Sequence, residues 1–459
     1  MKERILRASS IIALLSLLAT ACAPAAKPTQ AGPTLASGES SQAAPTAAVP
    51  STQQVTLTVW DFGGAEFEWI DSIAIPAFQE KYPNVKVEHL GIPESDYSTK
   101  LETAVAGGQV PDVALQSYTY RLWQAGHVLP LDDYMARDGL KSDDFYPIFR
   151  SWCMLDGKVY VMPVSAYIWA MVYNKDLFQQ AGLPELGPDT VITFDDWLEY
   201  AEAINKPSEN LEDHVFASHL FVPNWCAMNN YMSEPYVLGP DGRQCQGNAD
   251  NPDWVHTWEI LLKAHKEGLM VESAAGIAGD LGWGDLFKTG KLGMMPGTLG
   301  DAINMRKAGL NVGLTGQPVV TKGWQGNVGA WATAYGIMSA SKHQEEAWLF
   351  LKFLTTEVAR TLAMGDCDAC GNPATYIPAN EGWAGDDPLK LDSLKLQERV
   401  VPPPFSPDIW TAVDPFYEAW RRMTEDNVDV KIAVTEAAAE CQEVLDEQWA
   451  DWEKLAPGR

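Results

Sequence analysis

The hydrophobic pattern of this chain switches repeatedly between two periods. VTLTVWDF (55–62) alternates and is β-branched, which predicts a buried first strand. EWIDSIAIPAFQEKYPN then spaces its apolar residues at helical intervals, and Tyr82-Pro83-Asn84 ends the predicted helix. VKVEHLG predicts a second strand. STKLETAVAGGQVPDVALQS predicts a helix, a Gly-Gly stop and a third strand that leaves Ser117 at its end. Strand–helix–strand alternation of this kind gives an α/β layer with a mostly parallel sheet. Ligands bind such sheets beyond the carboxyl ends of the strands, which singles out Trp60-Asp61-Phe62 and Ser117-Tyr118.

The middle of the chain changes character. GKVYVMPVSAYIWAMVYNKDLFQQAGL reads as a long extended apolar segment, a helix start at Asn174-Lys175-Asp176 and a stop at Gly182. TFDDWLEYAEAIN predicts a helix with Thr193 as cap and Asp196 three residues on, the spacing of a capping box. WGDLFKTGKLGMMPGT predicts helix, turn and strand. SASKHQEEAWLFLKFLTTEVARTLA and VKIAVTEAAAECQEVLDEQWADWEKL predict long amphipathic helices. Trp197, Trp258, Trp348, Trp420, Trp449 and Trp452 fall within helical patterns and are assigned to cores or helix faces.

The amino-terminal segment belongs to neither pattern. A short basic stretch precedes an apolar run too short to span a bilayer, as in a secretory signal. The run ends on Ala19-Thr20-Ala21-Cys22, which resembles the lipobox of bacterial lipoproteins, although Leu18 stands one place early. This predicts a signal peptide over 1–21 and a lipid on Cys22, placing the protein outside the cytoplasm on the cell membrane. Residues 22–54 are mostly Ala, Pro, Thr, Ser, Gln and Gly with almost no large apolar side chain, so they are predicted to form a disordered tether.

Composition narrows the partners. The chain has 33 Lys and Arg against 61 Asp and Glu, a net charge of −28, which argues against nucleic acid or an anionic lipid surface. Cysteine usage fits an exported protein. Beyond Cys22 there are Cys153, Cys226, Cys245, Cys367, Cys370 and Cys441, for which fifteen pairings exist. Cys226 and Cys245 flank a polar stretch with Gly and Pro and are the expected staple of a long loop. Cys367 and Cys370 form a C-x-x-C, read as a local disulfide, since no second ligand pair at zinc spacing exists. The seven histidines are scattered, so no metal site is expected, and no phosphate-binding loop or H-E-x-x-H occurs.

The order of these pieces resembles the extracellular solute-binding proteins of ABC transporters, in the family that includes maltodextrin-binding proteins. The most specific stretch is PVSAYIWAMVYNKDLFQQ, where Pro163, Val164, Ser165, Ala170, Met171, Val172, Tyr173, Asn174 and Phe178 comply with the family signature and Gln180 departs mildly. VPDVALQ with WQAGHVLPLDD, LFKTGKLGMMPG and AYGIMSASKHQEEAWLFLKFL match further segments in order, so the resemblance covers roughly 55–459. It implies two α/β lobes joined by a hinge that the chain crosses more than once. The first lobe would take 55–165 and 335–390, the second 166–330 and 395–459. It further implies a monomeric receptor, not an enzyme, that closes on a small molecule and presents it to a membrane permease, with no cofactor.

Eighteen tryptophans favour a sugar as that molecule. Flat rings cover the C–H faces of a sugar, while carboxylates and amides bind its hydroxyl rim. By position in the matching motifs, Tyr167 and Trp169 are candidates at the hinge, Leu299 and Asp301 lie where the family often has an aromatic platform, Leu299 being a departure that speaks against maltodextrin itself, and Trp410 matches another platform. Trp225, Trp283, Trp324 and Trp331 are further candidates. Other solutes, such as a peptide or polyamine, are the alternative within binding proteins. An anchored glycan hydrolase is the alternative from another class, and it would need two carboxyls facing each other across a cleft.

Overall fold

The computed structural model describes residues 54–64, 67–116, 119–210, 213–220, 237–271, 283–321, 329–365, 372–400 and 405–455. Cys22, the signal segment and nearly all of the tether, Ser117, Tyr118, Trp225, Cys226, Trp324, Cys367 and Cys370 lie outside them.

The strands are β1 (Val55–Phe62), β2 (Val85–Ile92), β3 (Val113–Leu115), a short hairpin β4 (Met154–Leu155) and β5 (Lys158–Val159), then β6 (Val161–Asn174), β7 (Phe216–His219), β8 (Met270–Val271), β9 (Leu292–Gly297), β10 (Val312–Thr315) and β11 (Gly329–Ile337). Apart from the hairpin they form one sheet in the order β2-β1-β3-β11-β6-β9-β7-β8, with β10 also paired to β6. Two parallel groups, β2-β1-β3 and β9-β7-β8, carry the strand–helix alternation expected from the sequence. Between them the antiparallel strands β11 and β6 form the junction. Residues 161–169 of β6 pair with β11, and residues 170–174 pair with β9 and β10. One continuous strand therefore belongs to both halves of a two-lobed α/β fold.

Local signals set the element ends. The Asn174 side chain accepts from the Asp176 and Leu177 amides at 3.1 and 3.2 Å and caps helix Lys175–Gln180. Thr193 and Asp196 close a reciprocal capping box at the start of helix Phe194–Ile204. Gly182, after helix Lys175–Gln180, has φ +71°, a conformation that only glycine adopts without strain.

Three hydrophobic clusters hold the halves. The first packs β1, β2, β3 and part of β11 with Trp123, Tyr97 and Trp348, all buried. The second gathers Trp197, Trp254, Trp258 and the inner face of the final helix, Val430–Leu455. The third covers the other face of the β6–β9–β10 region, with Phe287, Leu299, Leu396 and Trp383. Trp197, Trp258, Trp348, Trp420 and Trp452 are buried, as helical spacing predicts, and Trp449 is half-buried against two clusters.

The expected Cys226–Cys245 staple is corrected. Cys245 is bonded to Cys441, 196 residues away, with Cα atoms 5.9 Å apart. The segment around Cys245 folds onto the final helix, where Cys441 shares the buried row with Ala437, Ala438 and Leu445. Gln442 accepts from the Cys245 amide at 2.9 Å and donates to the Arg243 carbonyl at 3.1 Å, which seats the segment. Proximity in sequence misled because the partner is set by helix packing. Cys153 is a buried free thiol.

Candidate functional site

The junction strand β6 is buried along its whole length except at two residues, Tyr167 and Trp169. Side chains alternate across a strand, so Ala166, Ile168, Ala170 and Val172 share one face while Ser165, Tyr167 and Trp169 share the other. The first set lies in the third hydrophobic cluster together with Ala330 and Ala332 of β11. The second set faces away from that core, beside Thr333, which pairs with Ser165 in the β11–β6 register. The register also sets Trp331 opposite Tyr167 and Gly329 opposite Trp169. Small apolar residues on one face and polar or aromatic residues on the other therefore meet at the point where the sheet passes from one half to the other.

The carboxyl end of β1 carries the next candidates. Trp60 is half-buried, with the Lys100 ammonium 5.6 Å from its ring centre. Phe62 is buried edge-on to Phe67 and Tyr97. Asp61, expected to meet a ligand, is completely buried and already has protein partners on both oxygens. Its Oδ1 lies 2.7 Å from His89 Nε2, and its Oδ2 accepts the Tyr335 hydroxyl at 3.0 Å. His89 Nδ1 lies 2.9 Å from the exposed Asp71 carboxylate. In this state Asp61 braces β1 against β11 and offers no free oxygen to a solute.

Burial raises the Asp61 carboxyl above the ordinary carboxylate range, against the pull of His89 and Tyr335. Burial pulls His89 down, but the Asp61 and Asp71 carboxylates outweigh it and hold the imidazole above its usual value. The Tyr335 and Tyr97 hydroxyls are held far above theirs, by burial first and by the nearby Asp61 charge.

The remaining candidates are dispersed. Asp301 accepts from the Thr298 amide at 2.7 Å and hydroxyl at 2.9 Å, completing a capping box for helix Leu299–Lys307, and Leu299 beside it is buried. That role accounts for the carboxylate without a ligand. The backbone sets Trp283 at the start of helix Trp283–Lys288 and Trp410 within helix Ile409–Val413. Among the described residues no cluster of His, Cys, Asp and Glu has the makings of a metal site, and no helix is long and apolar enough to cross a membrane.

Sequence reasoning missed His89 and Tyr335. The signal was present in the period of two: Leu57, Val59 and Asp61 form one inward row, and Val85, Val87 and His89 another. A carboxylate and an imidazole at the ends of inward rows on neighbouring strands are natural partners.

Comparison with known proteins agrees with this geometry. Residues 63–361 match the model of a bacterial extracellular solute-binding protein. A binding protein of Brucella abortus (strain 2308) is 27% identical over 311 residues, 66% of this chain and 72% of that protein. The galactooligosaccharide-binding protein of Bacillus subtilis (strain 168) is 24% identical over 302 residues, 62% of this chain and 66% of that one. Among solved structures, the sugar-binding protein MalE from Xanthomonas citri superposes with a TM-score of 0.72 at 18% identity, covering 87% of this chain and 99% of that one.

Proposed function

The chain belongs to the bacterial extracellular solute-binding proteins, and from that premise we propose that it captures a carbohydrate between its two halves and delivers it to an ABC importer. The observation that carries the reading is the interruption of burial at Tyr167 and Trp169 on the strand common to both halves. An aromatic pair on the rim of a two-lobed junction suits the apolar face of a sugar ring. Ser165 and Thr333 on the same face supply hydroxyls for its rim. Trp60 at the end of β1 and Trp410 are kept as further aromatic candidates to be tested by substitution. Closure follows from differential contact: a solute that touches both halves only when they close favours the closed state. The acidic chain works as a monomer, held at the outer face of the membrane by a lipid on Cys22 and the 22–54 tether.

The test is a thermal-shift screen against sugars, peptides and polyamines, followed by calorimetry of the hits. Sugars should shift the transition and the other classes should not. Tyr167→Ala and Trp169→Ala should each weaken the best sugar by about 1–3 kcal/mol from lost stacking area. A shift produced only by peptides or polyamines would replace the sugar with that class.

A further inference from the structure

We propose that His89 is a positioning residue for solute capture: as an imidazolium between Asp61 and Asp71 it neutralises the buried Asp61 carboxylate, which in turn holds Tyr335 and fixes β11 beneath the Ser165–Thr333–Tyr167 face. The proposal rests on the reading of that face as the solute site. The chain of contacts is Asp71 on helix Ile70–Ala74, His89 on β2, Asp61 on β1 and Tyr335 on β11. It runs from the surface, where Asp71 is exposed, to two completely buried groups. Tyr335 stands two residues along β11 from Thr333, just past the register shift between Thr333 and Ala334.

Among the described residues, the charged and titratable groups around His89 and Asp61 fit this role. Asp61 and Asp71 face it directly from β1 and the helix. Behind Asp61 lie the Tyr335 and Tyr97 hydroxyls, and Tyr97 itself donates to the Leu115 carbonyl at 2.8 Å. On β2 the neighbouring Glu88 is taken by Lys86 at 2.6 Å, and Lys100 is engaged over Trp60. His89 is thus the cation within hydrogen-bonding distance of Asp61. Without its proton, Asp61 becomes a buried carboxylate with no counter-charge, which is costly. Because the folded protein holds the His89 proton more tightly than the unfolded chain does, the bracing is complete below about pH 6.5 and is lost as pH rises through the raised value. Asp61 is raised too, so the ion pair also has a lower limit: where Asp61 takes up its own proton no carboxylate is left for His89 to neutralise.

The experiment needs no solute for its decisive arm. The His89 imidazole is titrated by NMR in wild type, Asp71→Asn and Asp61→Asn, and amide exchange of β11 is measured across the same pH range. His89 should titrate above its ordinary value in wild type, and Asp61→Asn should lower it, each unit of the fall reporting about a tenfold coupling. Exchange protection at residues 333–337, corrected for intrinsic rates, should drop as wild-type His89 deprotonates. In Asp61→Asn, which keeps the size and an acceptor for Tyr335, protection should stay high at all pH values. A wild-type His89 that titrates at or below its ordinary value, or β11 protection indifferent to its protonation, overturns the proposal. A second arm measures maltotetraose affinity at low and high pH. If maltotetraose binds, affinity should weaken by up to about tenfold per pH unit above the His89 value in wild type and not in Asp61→Asn. A pH-independent wild-type affinity would count against positioning. Failure of every sugar in the screen would instead strike the solute reading and leave the NMR result standing.

Discussion

The two halves of this protein are joined in two different ways, through a strand and through a helix. At the strand junction, β6 runs unbroken from one half to the other and is held by backbone ladders to β11, β9 and β10. The helix junction is made by the final helix, Val430–Leu455, 26 residues or about 39 Å long. Its first turns lie in the second cluster, while Trp452 near its end lies in the first. The helix end is gripped by side chains: Phe405 packs on Tyr120, Trp449 and Trp452, and the Arg243 guanidinium lies 3.7 Å from the Trp449 ring centre. Trp449 also donates to the Gly242 carbonyl at 3.0 Å. The ladder depends on register and tolerates most side chains on its exposed face. The helix grip depends on particular rings and one covalent bond, so it can be dismantled residue by residue.

The largest effect should come from cutting that covalent bond. Removing the Cys245–Cys441 link by Cys245→Ala with Cys441→Ala should cost about 2–5 kcal/mol, since it frees a loop of nearly two hundred residues in the unfolded chain. Chemical denaturation of the variant and of reduced wild type should give the same loss. β11 amide protection should change little, because the strand ladder does not use the link. Loss of protection in β11 would mean that the two junctions are one structural unit.

A smaller effect is expected inside the helix grip. Trp449→Ala removes a half-buried indole, its hydrogen bond to Gly242 and the seat of Arg243, and should cost about 2–3 kcal/mol by denaturation. Arg243→Gln, which keeps an amide donor but not the cation over the ring, should cost about 0.5–1 kcal/mol. If Arg243→Gln costs as much as Trp449→Ala, the charge and not the ring area holds the helix end.

The strand junction was far more legible in the sequence than the helix junction, and the reason is range. The period of two in VTLTVWDF, the cap at Asn174 and the Thr193–Asp196 box are settled within a few residues, so pattern alone predicts them. Tyr167 and Trp169 were reached through a contiguous motif on one strand. The Cys245–Cys441 bond and the contact of Phe405 with Tyr120 join residues hundreds of positions apart, and nothing local to any of them specifies the partner. Asp61 shows the intermediate case. Its place at the end of β1 was legible, but a strand-end carboxylate turns outward to a solute or inward to a histidine with equal ease. Only the β1–β2 register, which pairs Val59 with His89, decides the inward choice.

The smallest quantity sharpens the comparison most, because it asks whether the two junctions communicate. Tyr335→Phe removes one hydrogen bond to the buried Asp61 carboxylate at the strand junction and should cost about 1–3 kcal/mol alone. Trp449→Ala acts at the helix junction. Tyr335 and Trp449 share no hydrogen bond, ring contact or ion pair among the described residues. In a double-mutant cycle without solute, their costs should therefore add to within about 0.3–0.5 kcal/mol. A saturating sugar from the screen changes the expectation. The closure proposed above would rotate one half against the other, and so would load the ladder of β6 and β11 and the helix end at Phe405 together. Each junction then favours or opposes a single motion, and a variant at one alters the energy available to the other. The cycle repeated on sugar affinity should show a coupling of about 0.5–1 kcal/mol, above the additive limit. Additive affinities would place the hinge in the strands alone, and coupling without solute would make the protein one rigid body.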